Sequence, residues 1–214
     1  MKSILISIRP KWCEKIVNGE KTIEVRKTAP KEVPFKAYIY CTKANKKYQT
    51  ICGCMVINTD ELYRLPNGEI KHGWSGELMC CNGEYTRDNF LNGKVIGEFI
   101  CDKVYNLVNA FGGIMFADEN LNQLEPQLFR DMSCLTDEQT ADYLGDKDGY
   151  GLHISDLKIY GKPKELSEFF KPCPTKEKGD CLSCDFLAEN DYGGVCTNNL
   201  TRPPQSWCYV ESEQ

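Results

Sequence analysis

Ten residues near the start, Asn18-Gly19-Glu20-Lys21-Thr22-Ile23-Glu24-Val25-Arg26-Lys27, leave few folds open to this chain. Gly19 reads as the left-handed residue that closes a short helix. Directly after it, Ile23 and Val25 alternate with Thr22, Glu24 and Arg26, the period-2 pattern of a half-buried strand. Glu24 and Arg26 therefore share one face, and Lys21 stands at the strand's mouth. Three ionisable groups converge beside an apolar face that must be packed, which makes the stretch a candidate binding site. The plainer reading is an ion-pair network that only holds the strand in place.

The flanking sequence supplies elements for this stretch to pack against. In Ser3 to Ile8, Ile4, Ile6 and Ile8 alternate with Ser3, Leu5 and Ser7, which predicts a strand with one well-buried face. Pro10 suits a first helical turn, and Trp12, Cys13, Ile16 and Val17 recur at helical spacing. Phe35 to Thr42 reads as a third strand, with Tyr38 and Tyr40 on one face and Ala37, Ile39 and Cys41 on the other. Gln49 to Asn58 reads as a fourth, in which Gly53 suggests a bulge or the close approach of another backbone. Pro66-Asn67-Gly68 and Asn92-Gly93 are turn signals. Lys94 to Leu107 is expected to be one long strand that bends near Gly97 or Asp102. Residues 109–150 form an acidic insertion with one clear helix, opened by a Thr136–Gln139 capping box and closed at Leu144-Gly145. Gly149 to Tyr160 returns to strand character, broken by Lys162-Pro163-Lys164. Leu166, Phe169 and Phe170 then read as a last amphipathic turn docking on the body. Many short strands, few helices and wide loops argue for an α+β chain built on a small mixed β-barrel.

Charge and cysteine usage narrow the function classes. Residues 1–50 carry 12 Lys/Arg against 4 Glu, a balance of +8, whereas the remainder carries 14 basic and 27 acidic residues, or -13. This excludes a uniformly basic nucleic-acid binder and leaves a local positive patch around the opening motif. No apolar run approaches the ~20 residues of a membrane span, and MKSILISIRP lacks the parts of a signal peptide. The expected setting is cytoplasmic. Thirteen cysteines in a reducing compartment point to buried thiols and a metal site rather than a disulfide framework.

The pattern Gly-x-Lys-x-x-Glu-x-Arg formed by Gly19, Lys21, Glu24 and Arg26, preceded by strand SILISI and helix PKWCEKIVN, resembles the ASCH domain of the PUA-like superfamily. GKVIGEF, GLHISDLKIY and RPPQSWCYVE extend the resemblance, which is to members from bacteria and their phages, over nearly the whole chain. It implies a PUA-like β-barrel domain over 1–170, with the insertion at about 109–150, and a cleft beside the motif strand that binds RNA, a modified nucleobase or a small nucleotide. Some members resemble amidohydrolases that deacylate N4-acetylcytidine with a lysine, a threonine and a glutamate. Lys21 matches the lysine, but Glu24 stands where the threonine belongs. Covalent catalysis needs an activated hydroxyl, so a carboxylate there favours recognition: Glu accepts from an exocyclic amine and Arg donates to carbonyls or phosphate. Ser7, Arg9, Tyr40, His153 and Ser155 are further candidates for the cleft, and Trp12 could stack a base or belong to the core. A third possibility is a protein-interaction module built on the tail and the acidic insertion.

Composition shifts after Phe170, and residues 171–214 read as a Cys-rich extension stapled by zinc. Cys181-x-x-Cys184 is a knuckle that presents two thiolates to one metal, and a tetrahedral site needs two more ligands. Cys196 and either Cys173 or Cys208 supply them, with Cys208, inside the apolar SWCYV, the expected bystander. The segment has too few apolar residues to fold alone, so metal would supply its stability. Its 4 Lys/Arg against 7 Asp/Glu disfavour a finger that grasps nucleic acid.

Overall fold

Alternating isoleucines open the chain as β1 (Ser3–Ile8), and Pro10 starts α1 (Pro10–Val17). The structure, a computed structural model, describes residues 1–43, 50–53, 62–64, 70–72, 78–81, 91–110, 113–173, 187–190 and 193–212. The order continues with β2 (Ile23–Arg26), β3 (Phe35–Cys41), β4 (Thr50–Gly53), β5 (Leu62–Arg64), β6 (Ile70–His72) and β7 (Leu78–Cys81). Then come β8 (Val95–Cys101), β9 (Val104–Ala110), β10 (Gly113–Ala117), α2 (Pro126–Ser133), α3 (Asp137–Leu144), β11 (Gly149–His153) and β12 (Ser155–Lys164). A 3-10 turn at Leu166–Glu168 leads into β13 (Phe169–Phe170), β14 (Leu187–Asn190), β15 (Gly193–Cys196) and β16 (Trp207–Ser212). The remainder of the strand expected over Gln49 to Asn58, and the turn expected at Pro66-Asn67-Gly68, lie outside the described residues.

Two mixed-order sheets make the body. One runs β12-β8-β3-β1-β16-β13, with β1 and β3 parallel; the other runs β10-β9-β11-β2. The segment expected as a single bent strand over Lys94 to Leu107 divides at Asp102, and Gly149 to Tyr160 divides at Ile154. Both halves pair with each other, β8 with β12 and β9 with β11, so a continuous ribbon folds from one sheet into the other and half closes a barrel. β12 also runs on through Pro163 to Lys164, where a break was expected. It can do so because β12 lies at the sheet's edge, where a missing N–H costs no ladder bond.

Three apolar clusters locate the strand faces of the two main sheets. Ile4, Ile6, Ile8, Phe35, Ala37, Ile39 and Cys41 face the barrel interior, closed by Cys13, Ile16 and Val17 of α1 and by Leu152 of β11. On the outer face of the larger sheet, Leu5, Tyr38, Tyr40 and Val95 pack under Phe169, Leu200 and Val210. β1 is therefore buried on both faces, whereas the alternation predicted one. A third cluster joins Ile23, Val25, Tyr105, Leu107 and Phe116 to Phe129 of α2 and Leu144 of α3.

The acidic insertion holds β10 and two helices rather than one. α3 has the Thr136–Gln139 capping box and ends at Gly145 as expected. α2 was not foreseen; it opens with Pro126 in its first turn, a position that needs no N–H. The boundary expected at residue 171 does not separate the sheet, because β16 returns from the tail to lie between β1 and β13. The last apolar run of the tail thus completes the body.

Candidate functional site

The loop that carries the motif begins with a complete helix stop. Gly19 has φ +74, its N–H donates to Ile16 O at 3.0 Å, and the Glu20 N–H donates to Lys15 O at 2.9 Å. This is the Schellman arrangement, and glycine meets its left-handed requirement at no steric cost. The turn aims Lys21 inward and starts β2.

β2 is not the half-buried strand its alternation predicted: all four of its residues are buried. Ile23 and Val25 face α2 and α3, while Glu24 and Arg26 face the barrel interior. Register places Glu24 opposite Leu152 and Arg26 opposite Tyr150, both of which pack on the interior cluster. Side-chain exposure is 2% for Lys21, 4% for Glu24 and 9% for Arg26.

The three charges pair with one another and with main-chain carbonyls. Arg26 Nη1 donates to Glu24 Oε1 and to Val25 O at 2.8 Å, and Nη2 donates to Ser7 O at 2.6 Å. Lys21 Nζ lies 3.5 Å from Glu24 Oε2 and donates to Ser133 O at 2.6 Å. Ser133 ends α2, so the ammonium sits where carbonyl dipoles sum to negative charge. Burial nevertheless pushes the Lys21 pKa below the ordinary lysine range, outweighing the opposing pull of the Glu24 carboxylate. Two polar atoms are left over: Glu24 Oε2 and Arg26 Nε are buried with no hydrogen-bond partner among the described residues.

Trp12 stands next to the cluster. The half-buried indole packs on the interior cluster, with Lys21 Nζ 5.1 Å and Lys11 Nζ 4.6 Å from its ring centroid. Beneath it the Cys13 thiol donates to Ile8 O at 3.6 Å. Burial, then the neighbouring Cys41, pushes this thiol well above its usual pKa. The sequence marked neither Ser133 nor Tyr150. Ser133 depended on recognising α2, and Tyr150 on the register between β2 and β11.

The other candidates do not join the cluster. Ser7 contributes only its carbonyl; its hydroxyl turns away to donate to Pro204 O at 2.7 Å. Arg9 is exposed and serves as the N-cap position of α1. Tyr40 faces the outer cluster with Tyr38, on the opposite side of the sheet. His153 lies one residue after interior-facing Leu152, so its ring points outward, pairs Nδ1 with Asp102 Oδ1 at 2.7 Å and meets Tyr105 edge-on. Ser155 already stands on β12, and its hydroxyl donates to Ile100 O at 2.8 Å.

Of the tail cysteines, Cys181 and Cys184 lie outside the described residues. Cys196 is exposed, whereas Cys208 packs against the outer apolar cluster and burial raises its thiol pKa. Among the described residues no three His, Cys, Asp or Glu side chains are gathered to hold a metal ion. Nor is any helix among them long and apolar enough to cross a membrane.

No protein-family model matches the chain, and no curated protein matches it. Among solved structures the chain is similar to the crystal structure of ASCH from Zymomonas mobilis, with TM-score 0.47 and 14% identity, covering 98% of this chain and 88% of that one. A mutant of the same Zymomonas mobilis protein matches with TM-score 0.46 and 14% identity, over 99% of this chain and 91% of that one.

Proposed function

We propose that this protein binds a nucleobase, in RNA or as a small nucleotide, at the Lys21–Glu24–Arg26 cluster beneath Trp12. One observation carries the reading: among the described residues Glu24 Oε2, ion-paired with Lys21 at 3.5 Å, accepts no hydrogen bond and Arg26 Nε donates none, and both atoms are buried in the same cluster. Buried polar atoms without partners are costly, and an acceptor and a donor held in one cluster would complement a base edge that offers an exocyclic amine next to a ring nitrogen or carbonyl. Cytosine and adenine have such edges. Trp12 supplies an aromatic face for stacking, and exposed Arg9 and Lys11 flank it with positive charge suited to phosphates.

The amidohydrolase reading is less well supported. The serine nearest the lysine, Ser133, accepts from Lys21 through its carbonyl, and its hydroxyl accepts from the Leu135 N–H at 3.2 Å. Among the described residues no hydroxyl is hydrogen-bonded to Lys21 Nζ or to the Glu24 carboxylate, the arrangement that acyl transfer would use. The test of binding is calorimetric titration with cytidine, and of catalysis, lysine-dependent release of acetate from N4-acetylcytidine.

Zinc remains part of the proposal as a structural metal. With Cys208 packed among apolar side chains, Cys173, Cys181, Cys184 and Cys196 make the four-thiolate set that a tetrahedral site needs. A cytoplasmic setting agrees with the free thiols of Cys13, Cys41, Cys101 and Cys134.

A further inference from the structure

The side chain of Tyr40 leads to a second site. Tyr40 is 3% exposed, and its hydroxyl makes no hydrogen bond among the described residues. It lines a cavity of about 680 Å³ on the outer face of the larger sheet. The walls come from separate parts of the chain: Lys43 after β3, the turn at Leu166, and residues 199–203 before β16. Leu166 and Leu200 give these walls apolar surface, and Asn199 adds an amide. The far wall is tied to β1, since the Ser7 N–H donates to Ser206 O at 2.9 Å and the Ser7 hydroxyl donates to Pro204 O.

Charge decides what such a cavity can take. Glu165 is matched by Lys94 at 3.2 Å, so its carboxylate is already offset. Lys43 and Arg202 are both exposed, and neither has an acidic partner among the described residues. Two unmatched cations therefore rim one cavity whose floor presents a buried phenol. A monoanion between them would leave one cation uncompensated, whereas a dianion would match both, and a guanidinium fork suits phosphate oxygens.

We infer that this outer cavity binds a phosphorylated small molecule, its phosphate held between Lys43 and Arg202 and its remainder resting on Tyr40, Leu166 and Leu200. The volume is within the range of small-molecule sites. The site is separate from the nucleobase site, because Tyr40 points to the outer side of the larger sheet whereas Glu24, on β2 of the smaller sheet, faces the barrel interior on the inner side.

Inorganic pyrophosphate is the probe, titrated calorimetrically into the full chain at low salt. Wild type binds it; Lys43→Ala and Arg202→Ala each weaken binding by about tenfold, and Tyr40→Phe weakens it by a smaller but measurable factor. Both cationic side chains are exposed, and phenylalanine keeps the ring at position 40, so all three variants should fold, which circular dichroism checks. Glu24→Gln leaves pyrophosphate affinity unchanged. The inference is overturned if wild type fails to bind, if any of the three variants binds as wild type does, if acetate binds as tightly as pyrophosphate, or if Glu24→Gln abolishes binding.

Discussion

Lys21 and Glu24 stand side by side inside the protein, Nζ 3.5 Å from Oε2, with side chains 2% and 4% exposed. A pair so enclosed contributes little net stability, because desolvating two ions offsets their attraction. Removing one partner has a different consequence, since it strands the other charge.

Glu24→Ala should accordingly destabilise the protein by about 3–5 kcal/mol, because it leaves both Lys21 and Arg26 without their carboxylate. Glu24→Gln keeps the volume and one acceptor and should cost less. Urea unfolding of the two variants measures the difference; equal midpoints would show that the cluster is not enclosed.

The depressed Lys21 pKa makes stability depend on pH. The unfolded chain holds this proton more tightly than the native protein, so between the lowered native value and the ordinary lysine value of about 10.4 stability rises with pH on account of Lys21. The contribution is fully present above that ordinary value and is lost as pH falls through the native one. Lys21→Met removes it. Urea midpoints should show wild type gaining stability relative to Lys21→Met as pH rises toward the ordinary lysine value, whatever the sign of the gap at neutral pH, and a constant gap would contradict the assignment.

Glycines at two points of the frame separate steric from conformational cost. A Cβ on Gly97 would sit 2.5 Å from Lys158 O, within the ribbon that joins the sheets, so Gly97→Ala should cost roughly 1–3 kcal/mol by overpacking against backbone. Gly19 meets nothing within 4 Å, and Gly19→Ala should cost about 1 kcal/mol through its left-handed backbone alone. Thermal unfolding ranks the two, and the reverse order would argue against the close β8–β12 approach.

Elemental analysis of protein purified without chelator tests the tail. One zinc per chain is expected, retained in Cys208→Ser and lost in Cys184→Ser. Metal-free protein with freely titrating tail thiols would end the zinc proposal.

Periodicity made the early elements legible. The alternation of Ile4, Ile6 and Ile8, the helical spacing of Trp12, Cys13 and Ile16, and Gly19 as helix stop all have local physical causes. So does the Thr136–Gln139 capping box, where both reciprocal hydrogen bonds form. Local pattern says which side chains share a face but not what covers that face. Glu24 and Arg26 share a face as the alternation predicts, but their burial comes from the barrel interior they turn to, where Leu152 and Tyr150 stand opposite and Ser7 O accepts from Arg26. Alternation along a single closing strand makes His153 and Ser155 candidates to face the cleft. The ribbon instead turns a corner at Ile154, and Asp156 with φ 47 marks the irregular register just beyond it. Tyr40 shares a face with Tyr38, as the alternation predicts, but only the packing of Phe169, Leu200 and Val210 shows that this face turns outward.

Calorimetric titration of cytidine, which carries no phosphate for the outer cavity to hold, into wild type and Glu24→Gln tests the central claim most directly. Losing one charged hydrogen-bond acceptor should weaken binding by roughly tenfold to a hundredfold, while circular dichroism shows Glu24→Gln still folded. Equal affinity in the two proteins, or no binding by wild type to cytidine and adenosine alike, would contradict a nucleobase site at Lys21, Glu24 and Arg26.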